Sequence, residues 1–317
     1  MIRGGKAADS QEQPVKGLYR YALATALATF LLLILGGGVT SSDVGMADPQ
    51  WPTPPWYLIW YFSVADSFQR GWGFIVEHGH RALGYVVGMM TMGLCGWLWV
   101  LETRKTIRWL GVVALAAVCC QGLLGGLRVR WDVLAGREMA LVHGCLAQLI
   151  FALICGIAFV QSPFWNRSES TEVDHRLPRY AWILAVLVII QLSLGAILRH
   201  VGIGLWVHMS VAVGILISAV LIVRHAAPTR LQAWARFNRG LILFQIAIGL
   251  GTWLSSNGQG AYAMEAASVP HIVLATGHVG AGALLLAGAL LFAFYLQFKT
   301  SVLLTSQSVS LATVKGI

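Results

Sequence analysis

The chain has 317 residues, of which 57% are hydrophobic and only 11% charged, with a formal net charge of +9 and a mean hydropathy of +0.71. A soluble domain carries about a quarter charged residues, so this composition excludes a soluble globular enzyme and indicates a polytopic membrane protein. The basic residues are spread over segment ends rather than gathered in one patch, which excludes a nucleic-acid reading.

Eight apolar runs of roughly 20 residues, enough to cross about 30 Å of hydrocarbon, are predicted near 20–40, 78–101, 108–127, 139–161, 179–198, 205–223, 238–254 and 271–297. The first follows a polar tail, Met1 to Tyr19, that lacks a small-residue cleavage motif and reads as the flank of a retained helix. That run ends in Gly36-Gly37-Gly38. The longest connection, Ser41 to Val76, carries Trp51, Trp56, Tyr57, Trp60, Tyr61 and Phe62, a stretch suited to a membrane interface or to a lid over a neighbouring site. The second run opens on Glu77, His80 and Arg81. The third contains Gln121 to Gly126 and closes on Arg128 and Arg130. The fourth contains His143 and leads into a polar loop, Asn166 to Pro178. The fifth has Gln191 and Gly195-Ala196, then Arg199-His200. The sixth contains His208, the seventh Gln245, Gly249 and Gly251, and the eighth His278. Small residues in such patches let helices approach closely, and they also clear room for a flat macrocycle.

Charge sets the expected orientation. Sixteen of the 22 basic residues fall in the N-tail, the loops after the second, fourth and sixth runs, and the C-tail. The positive-inside rule then places both termini in the cytoplasm. Cys95, Cys119, Cys120, Cys145 and Cys155 all fall inside apolar runs and read as small buried residues, not as a disulfide framework.

The expected fold is an all-α integral membrane protein whose eight helices form two pseudo-symmetric four-helix bundles. Its parts are a cytoplasmic N-tail at 1–17, a first bundle at 18–163, a linker at 164–177, a second bundle at 178–298 and a cytoplasmic C-tail at 299–317. Both bundles run from inside to inside, so the repeat is parallel.

His80, His143, His208 and His278 each sit near the start of an even-numbered run, at similar depth. Hydrocarbon tolerates an imidazole poorly unless it faces a partner or ligand, and neutral imidazole is a standard axial ligand of haem iron. One histidine from each of two facing helices would reach one iron, giving two sites. There is no HExxH and no CxxC, so zinc is the weaker reading. His175 and His225 fall in predicted loops and read as solvated. His200 and His271 fall at outer helix ends, where snorkelling or propionate binding are both open, and His78 is expected to point off the His80 face. Arg128, Arg130 and Arg199 close their helices at the same level and are candidate partners for haem propionates. The two halves differ at one place. Glu77 stands three residues before His80, where Leu205 stands before His208. On a helix these share a face, so Glu77 is expected to project toward whatever His80 binds, although pairing with Arg81 remains an alternative. A reaction site in the first half and a redox site in the second would follow.

Taken in order and spacing, Glu77-x-x-His80-Arg81, Gln121 to Gly126, Gln191-x-x-x-Gly195-Ala196 with Arg199-His200, and Gly36-Gly37-x-x-Thr40 leading to Trp51-Pro52 resemble the haem A synthase family over nearly the whole chain. The resemblance implies an enzyme of the bacterial cytoplasmic membrane that oxidises the ring methyl of haem O in successive steps to the formyl group of haem A. It implies substrate at His80 and His143, with Glu77 acting on the oxidised methyl. It implies a permanent haem b at His208 and His278 as electron-transfer cofactor. Arg81, Arg128 and Arg199 are the cofactor-binding candidates, and a haem O synthase and an electron-donor protein the candidate partners beside membrane lipid. Many bacterial members carry a cysteine pair in the first outer loop; Ser41 to Val76 has none, so no redox role of such a pair is carried over. The alternative is a di-haem b electron carrier without substrate chemistry, which leaves Glu77 unexplained.

Overall fold

The computed structural model describes residues 6–52, 68–166, 174–226, 230–256 and 267–314. Among these, all regular structure is helical. Eight long helices carry the chain: α1 Lys6–Ser41, α2 Trp72–Leu101, α3 Lys105–Arg130, α4 Asp132–Val160, α5 Leu177–Val201, α6 Leu205–His225, α7 Arg230–Ser255 and α8 Val269–Val314. A single helical turn, Pro163–Asn166, follows α4. Each long helix contains a stretch long and apolar enough to cross a membrane, and the chain is a multi-pass membrane protein.

The helices outrun the apolar runs at several ends. α1 begins at Lys6 inside the expected N-tail, and α8 continues to Val314 through the expected C-tail. α4 starts at Asp132, seven residues before the predicted 139, with an irregular Ala135 (φ −152°, ψ 21°) in its first turns. Hydropathy locates where hydrocarbon begins. A helix continues past that point as long as its backbone bonds are kept, and polar residues such as Gln and Lys are good helix formers. The residues Trp56, Tyr57, Trp60, Tyr61 and Phe62 of the aromatic stretch, with Arg3, Arg167 and Lys315, lie outside the described residues.

The helices form two closed neighbourhoods. α1 packs on α2 and α4, α2 on α3, and α3 on α4; α5 packs on α6 and α8, α6 on α7, and α7 on α8. The two groups meet where α8 lies against α1 and α4, and where α4 lies against α5. Apolar cores fill the end of each group remote from the four histidines. Leu18, Ala22, Leu94, Leu98, Ala114 and Ile154 form one core. Ala181, Leu184, Ile215, Ile242, Leu286 and Phe292 belong to the other. Buried hydroxyls stay inside their own helices: Thr25, Thr29, Thr91 and Ser218 each donate to the carbonyl four residues earlier. This satisfies them where no water is available.

One short link fixes a site residue. Gly202 ends α5 at φ 83°, its N–H donating to the carbonyls of Ile197 and Leu198. Gly204, at φ 89°, precedes α6 and accepts from the His208 N–H at 2.9 Å. Both conformations are left-handed, where a side chain would be strained. The three-residue connection therefore sets His208 on the first turn of α6.

Candidate haem-binding site

The four histidines occupy the same local setting. Each presses its ring on a glycine of an odd-numbered neighbour. A Cβ added at Gly36 of α1 would stand 2.8 Å from Cε1 of His80. The corresponding distances are 3.0 Å from Gly125 of α3 to His143, 3.1 Å from Gly195 of α5 to His208, and 2.8 Å from Gly249 of α7 to His278. Carbon atoms prefer separations of about 3.5–4.0 Å, so each ring occupies space that any larger residue would claim. The small-residue patches read from sequence as helix packing or macrocycle clearance thus have a specific job, backing an imidazole.

Three of these glycines follow a glutamine by one helical turn. Gln121 Nε2 donates to the His143 carbonyl at 2.8 Å, and Gln245 Nε2 to the His278 carbonyl at 2.9 Å. The Gln191 amide nitrogen lies 3.1 Å from His208 Nε2. The fourth position, on α1, is Leu32.

The rings carry unmet hydrogen-bonding capacity. Nδ1 of His80, His143, His208 and His278 is buried without a hydrogen-bond partner, a state that costs about 1–3 kcal/mol per group. His208 and His278 face one another with centroids 6.4 Å apart and planes at 60°. Two metal–nitrogen bonds of about 2 Å plus the near half of each ring span about 6 Å. Among the described residues no three His, Cys, Asp or Glu side chains gather as metal ligands. A porphyrin asks for only two axial imidazoles, and the pair fits that demand.

Beside His80 the structure changes the expected picture. The Glu77 carboxylate is turned into a buried network, not held free on the His80 face. Its Oε1 accepts from Arg81 Nη2 at 2.7 Å, and its Oε2 from the backbone N–H of Asp48 at 2.8 Å. Asp48 Oδ2 lies 3.1 Å from Arg81 Nη1 and 3.4 Å from His78 Nδ1. Arg81 also donates to the carbonyls of Asp48 and Gln50. His78, off the His80 face as expected, stacks on Phe74 with centroids 5.0 Å apart. Glu77, His78 and Asp48 are all buried. Asp48 is the residue that sequence reasoning missed. It lies 29 positions before Glu77 in a loop, and only the fold brings it there.

The same loop reaches α3. Trp51 packs against Gly126, leaving no room for a Cβ, and Arg128 Nη1 donates to the Gly45 carbonyl at 3.3 Å. Arg128 Nε is buried with no partner. Arg199 crosses between the helix groups, its Nη2 donating to the Gly37 carbonyl at 3.0 Å and to Ser41 Oγ at 2.8 Å. Thr276 of α8, two residues before His278, donates to the same Ser41 hydroxyl at 3.0 Å. Gly36 and Gly37 are consecutive, yet the first backs His80 and the second faces Thr276 and Val279. α1 is therefore the wall between the two histidine pairs.

Other expectations need correction. His225 is not solvated: its Nδ1 lies 2.7 Å from Asp174 Oδ2 and its ring against Tyr180, while His175 is exposed. The backbone N–H of Arg176 and the His225 side chain hold the Asp174 carboxyl below its ordinary value. His200 and His271 are buried rather than snorkelling, and His271 Nδ1 pairs with Ser255 Oγ at 3.1 Å. Cys119 and Cys120 are exposed on α3 rather than buried. At the opposite end of the molecule, burial pushes the Glu102 carboxyl up. Hydrogen bonds from Arg104 and Gln161 outweigh it and hold the group at about 2.

A family model described as cytochrome oxidase assembly protein matches residues 65–210. The chain is 28% identical over 190 residues to the Heme A synthase of Exiguobacterium sibiricum, covering 58% of this chain and 60% of that one. It is 29% identical over 200 residues to the Heme A synthase of Symbiobacterium thermophilum, covering 59% and 61%. A third Heme A synthase, from another Exiguobacterium strain, is 23% identical over 259 residues, or 74% and 82%. The chain is thus similar in sequence to proteins named Heme A synthase. Its match to the first two spans about three fifths of their length. The family match contains Glu77, His80, Arg81, Arg128, His143, Arg199 and His208 and stops short of His278. The 6.4 Å pairing of His278 with His208 is thus a structural observation independent of that match.

Proposed function

We propose that this protein is a membrane oxidoreductase that converts haem O to haem A, oxidising the ring methyl in successive steps to a formyl group. The observation that carries the proposal is the fourfold recurrence of a glycine-backed imidazole with an unpartnered buried Nδ1. The names of the relatives supply the direction of the chemistry.

In this reading His208 and His278 hold haem b, which supplies a one-electron carrier. Gly195 and Gly249 fix the planes of these two rings, and Gln245 fixes the backbone that carries His278. His80 and His143 hold the substrate haem, and Arg128, with its buried free Nε, is the cation best placed to meet a propionate. Arg81 and Arg199 already serve protein acceptors, so their share in propionate binding is smaller than sequence suggested. Both oxygens of Glu77 are taken by Arg81 and the Asp48 N–H. A carboxylate with both oxygens already occupied suits stabilising positive charge that develops on the substrate better than shuttling a proton. The loop from Gly45 to Trp51, clamped by Glu77, Arg81 and Gly126, covers this side and excludes water.

The basic-rich ends face the cytoplasm and the histidine ends face outward across the bacterial cytoplasmic membrane, with the two groups of four helices related as a parallel repeat. A haem O synthase and an electron-donor protein are the expected partners. The test is expression with and without a haem O source, followed by extraction and chromatography of the pigments. Haem A that forms only when haem O is supplied supports the assignment; haem B alone in both cultures contradicts it.

A further inference from the structure

Gly125 and Gly126 stand side by side on α3 and serve different neighbours. Gly125 backs His143, whereas the space that a Cβ on Gly126 would need is taken by the indole of Trp51. Successive helix positions point about 100° apart, so the imidazole and the indole lie on adjoining faces of one helix. Trp51 is also tied to α2. Arg81, next to His80, donates to the carbonyl of Gln50, the residue before Trp51, at 2.7 Å. Trp51 is therefore held between the surroundings of His80 and those of His143. The three atoms nearest to a Cβ at Gly126 all belong to Trp51, so neither helix packing nor the histidine accounts for this glycine. Glycine weakens a helix relative to alanine, and the seat is kept in spite of that. The second half has no such seat: Ala196 follows Gly195, and Leu250 follows Gly249. Away from Gly126, Trp51 borders a cavity of about 410 Å³ together with Pro49, Gln50, Pro52, Val129 and Arg130.

We infer that Trp51 retains the substrate porphyrin in the first site, its indole closing the space beside His80 and His143 and Gly126 serving as its seat. The inference rests on the haem reading above and deepens it. A substrate must enter and its product must leave, whereas a resident haem b need do neither, so only the first site needs a closure that opens. The backbone just before Trp51 is fixed: Arg81 holds the carbonyls of Asp48 and Gln50, and Glu77 takes the Asp48 N–H. The side chain is what is left to move, and the cavity beside it gives the indole room to swing off Gly126. No covalent bond is made or broken. Retention comes from apolar area removed from water and from the packing of one flat aromatic ring on another. The ligand class is a flat aromatic macrocycle, here haem O, and Trp51 takes no part in its oxidation.

Release of pigment is the readout. Purified protein carrying haem O or haem A beside haem B is mixed with excess apomyoglobin, and the pigments still bound are extracted and chromatographed at intervals. Trp51→Ala should release haem O and haem A about twofold to tenfold faster than the wild type, the worth of one aromatic contact, while haem B leaves at the wild-type rate. Trp51→Phe should restore most of the retention. Gly126→Ala, whose methyl evicts the indole, should match Trp51→Ala, and it decides the matter if Trp51→Ala does not fold. Gly122→Ala is the control and should behave as the wild type, since a Cβ there meets nothing within 4 Å. Unchanged release of haem O and haem A in Trp51→Ala and Gly126→Ala, even with faster hydrogen exchange over residues 43–52, would make Trp51 an anchor of the loop only and overturn the inference. Equal acceleration of haem B release would overturn it as well. A wild-type protein without pigment would overturn the haem reading itself.

Discussion

Replacing Gly249 by alanine tests the ring-backing contact most severely. The new methyl would stand 2.8 Å from His278 Cε1 and 3.2 Å from its Nδ1. Against a preferred separation of about 3.5–4.0 Å, the ring or the helix must retreat by about 1 Å. Forcing an extra methyl into packed space costs about 1–3 kcal/mol, while alanine in place of glycine returns about 0.5–1 kcal/mol of helix stability. The net loss of stability is therefore small, about 0–2.5 kcal/mol from those two terms. Displacement of one axial ligand is the larger consequence. Pigment content and the reduced-minus-oxidised spectrum of purified Gly249→Ala should show haem b lost or its absorption bands shifted, in protein that still folds. Gly277→Ala is the control, since a Cβ there meets nothing within 4 Å although it adjoins His278 in sequence. A normal spectrum in Gly249→Ala, or equal damage in both variants, would refute the argument that glycine is present to seat the imidazole.

Glu77→Ala should keep the second-site spectrum and lose haem A formation; undiminished product would remove the carboxylate from the reaction. Asp48→Ala removes the anionic partner of Arg81 and His78 but keeps the backbone donor to Glu77. Its chief effect should be faster hydrogen exchange over residues 43–52, and unchanged exchange would show that the clamp does not hold the loop. Arg199→Ala breaks two hydrogen bonds to α1 and should lower stability in detergent by about 1.5–3 kcal/mol, as for bonds from a charged donor. Ser41→Ala should then add little to that variant. The Glu102 carboxyl is held at about 2 against an ordinary 4.5. Its stabilising contribution is thus fully present above 4.5 and fades as pH falls through that window toward 2. Thermal unfolding of Glu102→Gln should lack that part of the acid dependence.

Eight helices were legible because hydropathy is a local signal, and the four histidines stood out as candidates because an imidazole in an apolar run is one too. The glycines were legible as a pattern but not as a contact, since nothing in Gly249 says that His278, 29 residues later, will lie on it. The Asp48 clamp was invisible for the same reason. A loop aspartate carries no periodicity, and its pairing with Arg81 exists only once α1 and α2 are side by side. Glu77 shows the limit of spacing arguments. Its position on the His80 face follows from helical geometry, whereas the direction of its carboxylate was decided by the stronger attraction of Arg81 and a backbone donor. His225 was misread because its partner, Asp174, approaches from a different loop.

The division of labour between the two histidine pairs is the central claim, and pigment extraction from the His80→Ala and His208→Ala proteins, each expressed with a haem O source, tests it most directly. His208→Ala should lose haem B and retain haem O without converting it, and His80→Ala should retain haem B and yield no haem A. Loss of the same pigment from both proteins, or haem A formation in His80→Ala, would contradict the account.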